Sequence, residues 1–249
     1  ILPKVYSVIN PNRFDENGNY SEMAAVGVTF LFLMALRKKL RKENFFNEHK
    51  IKEPNLLSLL DLVALGTVCD VVNLIKYNRV FVKVGLDLIK KRKNQGISQM
   101  IDNSKLHSIP IASDLGFLIG PQLNAASRID DSSLPSKLLI SNNIEEIEII
   151  SRKLILLNEK RKLIENTIFI EALDQAKKQK NQNFILVFGN NWHNGVLGII
   201  ASKIVGVLNK PTIVISFTNK IGVGSARSIK SIDLGSIILN AKNLDILIG

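Results

Sequence analysis

The sequence predicts an α/β fold in which a long helix joins two units. Three observations carry this. From Asn183 onward a buried-type strand (Phe184 to Phe188), a helix (Asn194 to Leu208) and two more strands (Thr212 to Phe217 and Gly222 to Ile229) follow one another. Such alternation implies an α/β unit with part of its sheet parallel. Ile144 to about Lys180 is charged and free of glycine and proline, as a connecting helix between domains would be. The length, 249 residues, gives one large or two small domains at roughly 150 residues each, and 46% hydrophobic with 22% charged residues is a globular composition.

The N-terminal elements follow from pattern and punctuation. Val5 to Asn10 is a short β-type run ended by Pro11, and Asn12 to Asn19 is rich in turn formers. Ser21 is placed to cap a helix through about Lys42, whose last turns carry Arg37, Lys38, Lys39, Arg41 and Lys42 at the negative end of the helix dipole. Leu56 to Leu65 repeats apolar residues at helical spacing, with Gly66 as its expected C-cap. Asn78 to Lys93 is amphipathic, with Val80, Val84 and Leu88 on one stripe, and Ala112 to Gly120 is an apolar helix expected to break at Pro121.

Charge narrows the partners. The 33 Lys and Arg outnumber the 22 Asp and Glu, a net +11, which favours a polyanionic partner such as nucleic acid or an anionic membrane surface, or else merely solvates helices. The single cysteine, Cys69, excludes an internal disulfide framework and a thiolate metal cluster, and a reducing cytoplasm is the simplest compartment. The longest uncharged apolar run, Met23 to Leu36, has 14 residues, short of the ~20 that cross a bilayer. No targeting segment is readable from Ile1, and both ends are expected to cut through ordered protein.

Four segments carry chemistry-bearing residues. Gly66-Thr67-Val68-Cys69-Asp70-Val71-Val72 sets one acid in an apolar run, so Asp70 is expected in a buried setting where a metal or cation receives it, or else it is a turn residue. Gly120-Pro121-Gln122-Leu123-Asn124-Ala125-Ala126-Ser127-Arg128 puts Asn124 and Arg128 on one helix face, suited to a phosphate or simply exposed. In the loop at Gly189 to Gly195, Trp192 and His193 precede a helix N-terminus, where Trp192 either stacks on a base or plugs the loop. In Gly222 to Ser228, small residues surround Ser225, Arg227 and Ser228, which can donate to phosphates. The acidic pairs Asp130-Asp131 and Glu145-Glu146 and the scattered His49, His107 and His193 form no complete metal site.

In order and spacing, GTVCDVV, GPQLNAASR, the long linker, WHNGVLGIIAS and GSARS resemble the RecJ-type single-strand-specific 5′ to 3′ exonucleases of the DHH phosphoesterase superfamily. The resemblance runs from VINPNR to the last residue and marks the chain as an internal segment. It implies the C-terminal part of a parallel-sheet DHH domain over 1–143, a connecting helix over 144–182, and a smaller DHH-associated α/β domain over 183–249. It implies a DNA repair and recombination enzyme using Mn²⁺ or Mg²⁺, two ions in the full-length parent, with Asp70 as catalytic metal ligand. Asn124, Arg128, Trp192, His193, Ser225, Arg227 and Ser228 would face single-stranded DNA. Gln122 stands where the family usually has Arg, and Ser127 where it often has Gly. The other metal-ligand motifs normally precede VINP, so this segment alone is expected to be inactive. Alternatives are another DHH phosphodiesterase acting on short oligonucleotides, or an inactive DHH-derived DNA-binding scaffold.

Overall fold

The computed structural model describes residues 3–16, 18–104, 106 and 108–248; His107 lies outside them. The chain divides into two compact units, one of residues 1–123 and 134–153, the other of 124–133 and 154–249. No helix among the described residues is long and apolar enough to cross a membrane.

The first unit is helical throughout its regular elements. It contains α1 (Ala25–Lys42), α2 (Phe45–Glu48), a 3-10 turn (Leu56–Leu59) running into α3 (Leu60–Cys69), α4 (Lys76–Lys90) and α5 (Gln95–Asn103). After these come α6 (Ala112–Asp114), a π-helical turn (Leu115–Ile119), the start of α7 (Gly120–Ile129), α8 (Leu134–Ile140) and the start of α9 (Ile144–Lys178). One core gathers Met23, Phe30, Leu56, Leu60, Val63 and Phe81. Helices α3 and α4 meet so closely that a Cβ on Gly85 would sit 2.2 Å from the Leu60 carbonyl oxygen.

Several expectations are corrected here. Val5 to Asn10 forms no strand, because none of the described residues of this unit offers a strand to complete its hydrogen bonds; a portion of parallel sheet is therefore not seen in this unit. Ser21 does not cap α1: its hydroxyl donates to the Gly18 carbonyl at 3.0 Å, and the helix starts at Ala25. Gly66 is no C-cap, since α3 runs through it to Cys69; a Cβ there would lie 2.9 Å from the Val26 side chain, so its smallness serves the approach of α1. On α4 the buried stripe is Asn78, Phe81, Val82, Gly85 and Ile89, leaving Val80 and Val84 exposed. Pro121 does not break its helix, because the π-helical turn just before it changes the hydrogen-bond register where proline has no N–H to give.

The second unit holds the rest of α9, then β1 (Ile185–Asn190), α10 (Asn194–Leu208), β2 (Thr212–Thr218), β3 (Ile221–Arg227) and α11 (Leu234–Asn243). The sheet order is β1-β2-β3, with β1 and β2 parallel and β2 and β3 antiparallel. Asn219 and Lys220 join the last two strands with φ of 51° and 66°, the two positive values a tight type I′ hairpin requires. Helices α9 and α10 share one core with the sheet, built on Ile168, Ala172, Val187, Leu197, Ile200 and Val214. At the free edge of β1, Gln175 pairs with both the N–H and the carbonyl of Phe188, and Gln179 does the same for Leu186, at 2.7–3.1 Å. A polar link ties the helices together: Glu165, almost wholly buried, accepts from Arg161 at 2.5 Å on its own helix and from Lys203 of α10 at 2.6 Å.

Candidate metal and nucleic-acid sites

Asp70 is the residue on which α3 ends, and Val71 after it has a φ of 59°, rare for a β-branched residue. The chain turns there, so the two residues at the helix end part company. Cys69 points inward, its Sγ 3.7 Å from the Leu115 carbonyl oxygen, and burial pushes its thiol up to about 11. Asp70 is exposed. The expectation of a buried Asp70 is thus corrected: burial in α3 ends at Thr67, Val68 and Cys69 are half-buried, and the acid is the first residue beyond the helix. The carboxylate lines a cleft of about 590 Å³ with Asn10, Asn12, Met23, Thr29 and Phe32.

An exposed carboxylate at a cleft wall suits a hard divalent cation, which takes oxygen donors. It is one ligand only: the described residues contain no cluster of three His, Cys, Asp or Glu side chains able to hold a metal. The acid that is buried on α3 is Asp61, whose carboxylate accepts the Leu62 N–H at 2.7 Å and whose pKa is raised, chiefly by burial. It is legible as a lone charge in an apolar helical run, the same signal that points to Asp70.

In the second unit the predicted residues collect at the start of α10. His193 caps that helix, its Nδ1 accepting the Gly195 N–H at 3.1 Å. Arg128 crosses the same turn, donating from Nη1 to the Gly195 carbonyl at 3.1 Å; a Cβ on Gly195 would fall 2.0 Å from the Arg128 carbonyl oxygen. One turn on, a Cβ at Gly198 would lie 3.1 Å from both Arg227 Nη2 and Ser225 Oγ. Two exposed guanidiniums and a serine hydroxyl therefore gather about residues 195–198, where a helix N-terminus favours anions. Asn124 is exposed one turn before Arg128 on α7. Gly195 and Gly198 stand in the sequence motif, but nothing local in it marks their roles, Gly195 admitting the Arg128 backbone and Gly198 the side chains of Arg227 and Ser225.

Three predicted positions behave differently. Trp192 is buried, its ring lying over Gly189, where a Cβ would come within 2.1 Å, and its Nε1 donates to Glu171 at 3.0 Å. The ring plugs the loop, so the base-stacking role is corrected. The Ser228 hydroxyl is engaged locally, donating to the Ile232 carbonyl at 2.7 Å. Gln122 is buried, and its Nε2 donates to Ser104 Oγ at 3.1 Å, which faces it away from any phosphate.

Residues 181–244 match the DHHA1 domain family. Over 241 residues the chain is 39% identical to the single-stranded-DNA-specific exonuclease RecJ of Escherichia coli K12, a match covering 94% of this chain and 42% of that protein. The similarity to RecJ proteins thus runs through nearly the whole of this chain. Crystal structures of RecJ from Thermus thermophilus, in complex with Mg²⁺ and with Mn²⁺, superpose with TM-scores of 0.74 and 0.73 at 28% identity. Those matches cover 88% of this chain and 32% and 31% of the RecJ chains. The chain thus spans less than half the length of these RecJ proteins.

Proposed function

We propose that this chain supplies part of a RecJ-type exonuclease that hydrolyses phosphodiester bonds of single-stranded DNA from the 5′ end with Mn²⁺ or Mg²⁺, in DNA repair and recombination. The observation that carries the reading is the gathering of Arg128, Arg227 and Ser225 around the first turns of α10. Arg227 stands between Ala226 and Ser228, with no Asn or Glu next to it in the sequence to read a base edge, so the group is suited to hold the phosphate backbone and to be indifferent to sequence. His193, with Nδ1 spent as the cap, keeps Nε2 for the same strand, and Asn124 extends the polar rim.

Asp70 would hold a divalent ion. When bound, such an ion activates water and neutralises charge at phosphorus. The chain's own contribution is to set Asp70 in the wall of the cleft, beside the turn at Val71, while the half-buried thiol of Cys69 lies against the Leu115 carbonyl. In this reading 1–143 belongs to a DHH domain, 144–182 is the connecting helix and 183–249 the DHH-associated domain, and the lone thiol suits a reducing cytoplasm. With one of several metal ligands, the 249-residue chain by itself is expected to bind DNA without cleaving it.

The test is the salt dependence of binding. Each neutralised phosphate contributes roughly −0.7 to the slope of log K against log salt for single strands. In the whole protein, Arg227→Ala should make that slope shallower by a little under one unit and weaken binding alike for all sequences. An unchanged slope with an altered base preference would refute the phosphate role.

A further inference from the structure

Asp70 is the one ionisable side chain among the described residues lining its cleft. The facing polar groups are neutral. Thr29 has committed its proton, donating from Oγ1 to the Ala25 carbonyl at 2.9 Å. Asn10 accepts the Asn12 N–H on its Oδ1 at 2.9 Å, which leaves its Nδ2 donors without a partner among the described residues, and the Asn12 side chain has none there either. The loop that carries both is fixed: the Arg13 N–H donates to the Asn10 carbonyl at 3.2 Å, Arg13 Nη1 donates to the Val8 carbonyl at 3.0 Å, and the same guanidinium pairs with Asp15.

One cleft thus combines a carboxylate with unspent amide donors. A carboxylate alone repels a phosphodiester; with a cation on it, the phosphate is drawn in, and neutral N–H donors can take a non-bridging oxygen without competing for that cation. The volume, about 590 Å³, lies within the roughly 300–1,000 Å³ of small-ligand sites, so it suits one nucleotide. We infer that Asn10 and Asn12 bind the non-bridging phosphate oxygens of the nucleotide held in the Asp70 cleft. The inference rests on the proposed exonuclease reading and adds two substrate-binding residues to it.

The decisive comparison is Asn10→Asp against Asn10→Ala in the whole protein, read as the Kd for a single-stranded oligonucleotide by fluorescence anisotropy in Mn²⁺, with terminal phosphorothioate linkages to slow cleavage. Asp keeps the oxygen that accepts the Asn12 N–H, so the loop is preserved, and melting curves report this. If the amide donates to phosphate, Asn10→Ala weakens binding about tenfold, as loss of a hydrogen bond to a charged group does, and Asn10→Asp weakens it further. Replacing the terminal linkage by a neutral methylphosphonate should erase most of the Asn10→Ala and Asn12→Ala losses. The inference is overturned if Asn10→Asp binds like the wild type while Asn10→Ala does not, which is the signature of a turn residue. It is equally overturned if the alanine losses persist undiminished on methylphosphonate. A wild-type protein that neither binds nor cleaves single-stranded DNA would instead sink the exonuclease reading, and this inference with it.

Discussion

In the first unit the chemically distinctive residue is a carboxylate exposed at a backbone turn, whereas in the second it is a pair of guanidiniums laid against a helix at Gly195 and Gly198. Asp70 stands alone and its neighbours are neutral. Arg128 and Arg227 approach α10 one turn apart, at Gly195 and Gly198, and each has part of its hydrogen-bonding spent on a protein carbonyl. A lone exposed acid can be lost without disturbing the fold. A group of side chains packed on helix backbone cannot be moved so freely, and its geometry is correspondingly preset. The two regions should therefore fail in different ways, the first in turnover and the second in binding.

The sharpest break comes at Asp70. In the whole protein at saturating Mn²⁺, Asp70→Ala should lower single-turnover hydrolysis about a thousandfold, the several kcal/mol that a bound cation contributes, with the Kd for single-stranded DNA changed little. Near wild-type turnover would remove Asp70 as a ligand. Next is Trp192→Ala, which should destabilise the second unit by about 3 kcal/mol or more in chemical denaturation, while Trp192→Phe, keeping a ring over Gly189, should leave DNA affinity unchanged. A phenylalanine variant that folds well but binds poorly would restore the stacking role. Arg227→Ala is expected to cost about tenfold in affinity with hydrolysis at saturating DNA little affected, alongside the salt slope given above.

The smallest effect is a pH dependence within α3. Burial raises the Asp61 pKa, so the folded state holds this proton more tightly than the unfolded one, and stability from this group is present at low pH and lost as pH rises through the folded value. Asp61→Asn, which keeps the acceptor for the Leu62 N–H, should raise Tm at pH near 7 and do little at a pH below the carboxylate range. A stabilisation equal at both would show that the charge is not what the site resists.

Much of the second unit is legible because its signals are local: the unbroken apolar run at Phe184 to Phe188, the apolar run of α10, small residues around Arg227. The positive-φ turn at Asn219 and Lys220 shifts the third strand only to Ile221–Arg227. What the sequence misplaces depends on neighbours distant in the chain. Gly66 looks like a cap until Val26 is seen above it, and the exposure of Asp70 follows from the φ of Val71, which no pattern of apolar residues encodes. Trp192 reads in sequence as either plug or platform; Gly189 and Glu171 decide between them.

The glutamines beside β1 give the small sheet a direction. By taking up the N–H and carbonyl groups of Leu186 and Phe188, Gln175 and Gln179 occupy the positions another strand would use. Among the described residues β3 is the opposite edge, paired on one side only. Recruitment of any further strand, by fusion, swapping or self-association, is thereby polarised toward β3, and replacing both glutamines with alanine would turn a one-ended sheet into one that can extend, and clump, from either side.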